Sequence, residues 1–169
     1  MERSRRAGPR WVAVAASMLI ALGLVVVPAA SADTVIGEFG AAELGAQGPR
    51  GVAVNAVGLA EPEVYVADSS GHRILRYAAD GTYRSAIGGT AGAGGGAFQS
   101  PNGIAFDPVT GALWVVDAGN LRVQRFGPLD GFGVHPFDRA IGWDVIDGGG
   151  TGFEVCTSID TCKAGVAGA

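Results

Sequence analysis

The 169-residue chain has few of the residues from which catalytic and metal sites are usually built. It contains two histidines and two cysteines, and it lacks a nucleophile elbow, an HExxH motif and a paired-cysteine zinc motif. The glycine-rich stretch at 92–97 is not followed by the Lys-Ser/Thr and the helix of a phosphate-binding loop. The sequence therefore predicts no catalytic residue, no metal site and no cofactor.

Helical patterns and basic clusters are also scarce. After residue 32 there is no amphipathic stretch with a period of 3.6 and capping residues, whereas the 29 glycines suit the turns of an all-β chain with short strands. Beyond residue 32 the chain has 8 basic and 15 acidic residues, a net charge of −7. Such a chain is poorly suited to the phosphate backbone, so we expect no nucleic-acid partner.

Residues 1–32 have the composition of a secretory signal peptide. Four arginines precede an uncharged, mostly apolar run at 11–27, and the small residues Ala30-Ser31-Ala32 follow. We expect cleavage between Ala32 and Asp33, and a mature chain, 33–169, that is secreted or held in the cell envelope. The alternative is an uncleaved membrane anchor, because the apolar run is close to the shortest that spans a bilayer. Membrane contact is expected only in that case.

The two cysteines, Cys156 and Cys162, both follow the leader. An even number of cysteines in an exported chain favours a disulfide, which here closes a small local loop. Zinc is the alternative, but the histidines, His72 and His135, are distant in sequence and show no ligand spacing.

Beyond the leader, the chain repeats a pattern of four short apolar segments. Equivalent residues lie 49 positions apart, as in Asp68 and Asp117, Arg76 and Arg125, and Tyr77 and Phe126. Such self-similarity is typical of repeat architectures. The four predicted strands are 52–54, 64–67, 74–77 and 83–87 in the first copy, and 104–106, 113–116, 123–126 and 137–141 in the second. Residues 34–39 resemble the last strand of a copy and predict one further strand, and the glycine-rich residues 92–96 predict a flexible loop.

The repeated residues resemble the NHL repeat. Each copy begins with Pro-x-Gly-(Val/Ile)-Ala, and the tripeptide that names the family resembles Gly71-His72-Arg73 in the first copy and Asn120-Leu121-Arg122 in the second. Residues 137–165 are also similar to a segment of exported bacterial NHL proteins. The resemblance covers about residues 34–165 and implies a β-propeller, usually of six blades, with the first strand of each blade at the central channel.

The predicted fold is therefore all-β, an incomplete β-propeller. It has two four-stranded NHL-type blades at about 48–88 and 100–142, an extra N-terminal strand, and a C-terminal loop over 143–169. Two blades cannot close a ring and would leave strand edges unpaired. The chain is then a piece of a longer propeller, which we favour, or a homo-oligomer that completes a ring, three copies supplying six blades, or a two-blade unit.

Several polar residues of the repeat have a simpler role than chemistry. Asp68 and Asp117 are expected to accept backbone hydrogen bonds at turns rather than to act as paired acids or calcium ligands. A structural or exposed role is expected for His72, because no partner base or second ligand is identifiable. His135, next to Pro136, is expected to be a turn residue.

By analogy with other propellers, a ligand would bind the face that carries the loops between blades and the hairpins between the second and third strands. Arg50 and Asn102 are at the entry to the first strand of each copy, and His72 and Asn120 are at the hairpin tips. These four residues are the predicted ligand contacts. The leading functional hypothesis is an exported, non-enzymatic NHL-type binding module for a protein or a glycan. The alternatives are a fragment or subunit of a propeller enzyme of the lactonase or lyase type, and a non-functional truncated product.

Overall fold

A computed structural model describes residues 48–150 and 152–167. The predicted leader, the cleavage site at Ala32–Asp33 and the strand at 34–39 lie outside the described residues. They stay predictions.

The described chain forms two antiparallel sheets, which confirms the predicted all-β fold and the incomplete propeller. Sheet 1 contains β1 (Pro49–Asn55), β2 (Glu63–Asp68), β3 (Arg73–Ala78) and β4 (Tyr83–Gly88). Sheet 2 contains β5 (Pro101–Phe106), β6 (Leu113–Asp117), β7 (Arg122–Phe126), β8 (Phe137–Trp143) and β9 (Phe153–Cys156). In both sheets the strands are hydrogen-bonded in their order along the chain. Each of the eight strands expected within these ranges is present, one or more residues longer than predicted.

Strand β9 differs from the sequence-based expectation, which is a loop throughout 143–169. It adds a fifth strand to sheet 2, with Val155 opposite Ile141 of β8. Cys156 and Cys162 form a disulfide, which confirms the expected pairing. The two cysteines pack with Ala140 and Val145 in a small buried cluster, which holds the C-terminal segment against sheet 2.

The main hydrophobic core lies between the two sheets. Alternate residues of β2 and β3 face alternate residues of β6 and β7, as expected for side chains that point to opposite faces of a strand. The members of this core are at most 1 % exposed: Tyr65, Ala67, Ile74, Phe98, Leu113, Val115 and Phe126. The two sheets therefore share one core and pack face to face, as neighbouring propeller blades do.

Candidate interaction surface

The first strands of the two sheets approach each other closely at the predicted ligand face. A Cβ atom placed on Gly51 of β1 would lie 2.4 Å from the carbonyl oxygen of Asn102 in β5, so only glycine fits there. Arg50 and Asn102 are both exposed beside this contact. Of the four predicted ligand residues, these two are the ones that the structure leaves open to solvent.

His72 links the two sheets. It has a left-handed backbone (φ 52°), and its Nδ1 accepts a hydrogen bond of 3.1 Å from the backbone N–H of Ser100, the residue that precedes β5. The imidazole is half-buried. This contact gives His72 the structural role that the sequence predicted.

Asn120 differs from the expectation of an exposed hairpin tip. It is 1 % exposed, and its Nδ2 donates to the carbonyl oxygen of Gly92 at 2.7 Å and to Oδ2 of Asp117 at 2.8 Å. Both amide hydrogens are used inside the protein, so Asn120 does not face a ligand.

Asp117 is the centre of a buried polar network between β6 and β7. Its Oδ1 accepts from the backbone N–H of Gln99 at 2.7 Å. Its Oδ2 accepts from Arg122 Nε at 2.9 Å and from Gln124 Nε2 at 3.0 Å, in addition to Asn120. Asp117 makes no side-chain hydrogen bond to the backbone of the turn that follows it, so the predicted turn-capping role was wrong for this residue; its carboxylate is used by the buried network instead.

Arg122 and Gln124 tie the glycine-rich loop to sheet 2. The Arg122 guanidinium donates to the carbonyl oxygens of Ala93, Gly94, Ala97 and Lys163. Gln124 accepts from the N–H of Gly96 at 2.9 Å and donates to Ala97 at 2.6 Å. The expectation of a flexible loop was wrong, because these side chains replace the packing that glycines cannot provide.

A second polar network joins sheet 1 to the long connection between β7 and β8. Arg76 makes a bidentate ion pair with Glu63, with both N–O distances 2.7 Å, and also donates to the carbonyl oxygen of Gly133 at 3.0 Å. Tyr65 Oη lies 2.9 Å from His135 Nε2, and His135 Nδ1 lies 2.7 Å from the carbonyl oxygen of Gly127. His135 is thus a buried link between the sheets rather than a simple turn residue.

The hydrogen-bond partners fix the proton positions in this second network. A carbonyl can only accept, so Nδ1 of the neutral His135 ring carries the proton, and Nε2 accepts the single hydroxyl proton of Tyr65, whose other acceptor, Glu63 Oε2, is farther away at 3.3 Å. Burial lowers the pKa of His135 and raises that of Tyr65. The adjoining cleft, lined by Tyr65, Arg76, Ser85 and His135, has a volume of about 70 Å³, far below the several hundred Å³ of an ordinary ligand pocket. The network is therefore suited to holding the two sheets together.

The buried His135 predicts a loss of stability in mild acid. Because its pKa in the folded state lies below the value of about 6.5 in an unfolded chain, the unfolded state binds more protons in that interval. The contribution of the neutral His135 to the free energy of unfolding is fully present above about pH 6.5. It is lost as the pH falls from there towards the folded-state pKa, at up to about 1.4 kcal/mol per pH unit. Urea unfolding at pH 7.5, 6.5, 5.5 and 5.0 measures this. His135→Gln should remove the dependence, and His72→Gln, which leaves His135 in place, should retain it; equal dependence in all three proteins would contradict the prediction.

Within 48–150 and 152–167, no three His, Cys, Asp or Glu side chains are arranged as metal ligands. The same residues contain no helix with the length and apolarity needed to cross a bilayer.

Comparison with known proteins identifies the repeat. Residues 98–126, from Phe98 through the end of β7, match the family model of the NHL repeat. No curated protein gives a significant match to the chain. The matched residues contain β5, β6 and β7, the Asp117 network and the Pro101–Gly103 turn. The chain thus carries an NHL repeat over residues 98–126, and its two packed sheets have the architecture of an incomplete β-propeller.

Proposed function

We propose that the protein is an exported binding module without catalytic activity of its own, and that its protein or glycan ligand contacts Arg50 and Asn102. An NHL repeat suggests a β-propeller interaction module. The observation that carries the proposal is the Gly51–Asn102 backbone contact, which brings together the ends of the two first strands that carry the exposed Arg50 and Asn102. His72 lies at the same end of the sheets and supports Ser100, the residue before β5.

Three buried polar side chains that could serve in catalysis are already occupied by contacts within the protein. The carboxylates of Asp117 and Glu63 each face a buried or half-buried arginine, and His135 has both ring nitrogens hydrogen-bonded. A general base or a nucleophile must have an atom available to the substrate. Arg50 and Asn102, by contrast, are exposed residues, and their side chains are of the kind that recognises a carboxylate, a peptide carbonyl or a sugar hydroxyl.

The proposal is tested by selecting ligands on the full-length protein from a displayed peptide library and from a glycan array. The bound peptides or glycans are then measured against Arg50→Ala, Asn102→Ala and the control Arg84→Ala, which removes another exposed arginine, in β4. We expect Arg50→Ala to weaken binding about tenfold or more, as is usual for a charge-assisted contact, and Arg84→Ala to leave it within about twofold. Ligands that bind all variants equally, or the failure of both libraries to yield a binder, would refute the site.

Export is tested separately, by expression in a bacterial host with a secretory pathway. The mature protein in the extracytoplasmic fraction should begin at Asp33, which intact-mass measurement determines. A full-length, unprocessed chain in the cytoplasm would contradict this part of the proposal without affecting the binding test.

A further inference from the structure

The outer face of sheet 2, which is the side turned away from the core, is organised in three rows by the strand register. Residues directly opposite each other on neighbouring strands share a face, and successive rows are two residues, or about 7 Å, apart. The first row is Trp114, Arg125 and Arg139; the middle row is Val116, Val123, Ile141 and Val155; the third row is Trp143 and Phe153.

This outer face is unusually apolar for a surface in contact with water. Phe153 is 69 % exposed, and Trp143, Val116 and Val155 are exposed as well. The two aromatic side chains alone leave on the order of 200 Å² uncovered. With the aliphatic middle row, the patch reaches the size at which exposed apolar surfaces usually mark an interaction site.

In the first copy of the repeat, the equivalent face packs against another sheet. Trp114, Val116 and Val123 follow residues Tyr65, Ala67 and Ile74 by 49 positions. Those three equivalents in sheet 1 are 0 % exposed, because they pack against sheet 2. The same class of position is therefore a sheet-packing surface in one copy of the repeat and is uncovered in the other.

The charge pattern of the outer face complements itself. In the first row, Arg125 and Arg139 share the single carboxylate of Asp138, which leaves a net positive charge, and Arg125 lies 5.6 Å from the centre of the Trp114 ring. The third row is aromatic and uncharged. A twofold axis along the middle row would set each middle-row side chain opposite its own counterpart and would set the first row of one copy over the third row of the other. Arg139 would then lie over Trp143 of the second copy, since both are on β8, in a cation–π contact.

We infer that the protein forms a twofold-symmetric dimer through the outer face of sheet 2, with a second copy of the chain as the occupant of that face. The two sheets pack about 10 Å apart as a β-sandwich, with the aliphatic middle rows at the centre. A ring-completing trimer would also use this face, but would set it against the opposite side of sheet 1 of the next copy. On that side Val52 and Val54 are exposed, whereas Leu75 and Tyr77 in the same rows are already 0 % exposed. Twofold dimers are also the commonest closed assemblies of soluble proteins.

Sedimentation equilibrium of the full-length protein from about 1 to 300 μM tests the dimer. We expect a monomer–dimer equilibrium with a dissociation constant in the micromolar range, because the interface is at the small end of stable interfaces. Val155→Glu introduces two charges into the apolar centre and should raise the dissociation constant by about 100-fold or more. Arg139→Gln removes two symmetric cation–π contacts and should raise it roughly 5- to 30-fold. The matched control is Val109→Glu, at an exposed position in the turn between β5 and β6, which should leave the constant unchanged.

A cysteine substitution tests the position of the axis without depending on the stability of the charged variants. Val123→Cys places a thiol opposite its own counterpart, so mild oxidation at 5 μM should link two chains at least tenfold faster than in Val109→Cys. The inference is overturned by a protein that stays monomeric at 300 μM, by a trimer, by a dimer that Val155→Glu leaves intact, or by equal cross-linking of the two cysteine variants.

Discussion

Asp117→Asn should lower the free energy of unfolding by about 3–5 kcal/mol, the usual loss when one partner of a buried ion pair is removed. The side chains of Asp117 and Arg122 are both 0 % exposed, with Oδ2 and Nε 2.9 Å apart. The substitution keeps the size of the side chain and removes its charge, which leaves the Arg122 cation without its carboxylate in a site that water does not reach. The amide also turns a donor towards one of the N–H groups that Asp117 accepts from, so a second hydrogen bond is lost.

The same substitution at Asp68 is the matched control. Asp68 is the equivalent residue of the first repeat and binds Arg73 at 2.7 Å, but the Arg73 side chain is 28 % exposed, so water can solvate the cation when the carboxylate is lost. We expect Asp68→Asn to cost about 1 kcal/mol. Urea unfolding of the two variants under oxidising conditions at pH 7.5 gives the comparison. Equal losses would show that the burial of the ion pair is not what makes Asp117 important.

The two aspartates also show what the sequence can and cannot predict. The strand positions and the turn between the second and third strands follow from local residues, so Asp68 does accept from the N–H of Gly71, at 3.2 Å, as a turn residue should. Gln99 and Gln124 both donate hydrogen bonds to Asp117, but no local sequence pattern identifies them as its partners. Gln99 reaches Asp117 only because the segment before β5 passes over the edge of β6 and β7, and Gln124 reaches it because β7 pairs with β6.

Other features that the sequence does not reveal depend on contacts between distant segments. Tyr65 and His135 are 70 positions apart and meet only after the two sheets have packed. The connection that carries His135 has no equivalent length in the first repeat, so the repeat pattern gave no template for it. Strand β9 was missed for a related reason: four residues between glycines and a disulfide loop are too short to show a period, and pairing with β8 makes them a strand.

The exposure expected at the predicted ligand residues is found at Arg50 and Asn102 but not at Asn120, for a similar physical reason. Arg50 and Asn102 follow directly from the turn that starts each copy of the repeat, and a residue at the entry of the first strand is exposed in both copies. Asn120 occupies the hairpin position of the second copy, but a one-turn 3-10 helix, Ala118–Asn120, points its amide inward to Gly92. Equivalent positions in a repeat therefore share backbone geometry more reliably than side-chain exposure.

Phe98→Ala should also cost about 3–5 kcal/mol of unfolding free energy, the range for truncating a buried phenylalanine. Phe98 is 0 % exposed and packs between the sheets, with its ring 5.7 Å from that of Phe126. On its other side it meets the backbone of β4, because a Cβ on Gly88 would lie 2.7 Å from the Phe98 ring. Backbone on that side cannot move in to fill the space, so the cavity should remain open.

Phe132→Ala is the control for this truncation. Phe132 is 94 % exposed at the tip of the connection between β7 and β8, so its removal should change the unfolding free energy by no more than about 0.5 kcal/mol. Urea unfolding followed by tryptophan fluorescence and by circular dichroism measures both variants. Since Phe98 belongs to neither sheet and contacts both, a large loss with coincident transitions means that the two blades fold as one cooperative unit. A loss below about 1 kcal/mol, or separate transitions in the wild-type protein, would mean that each blade is stabilised on its own and that the shared core contributes little.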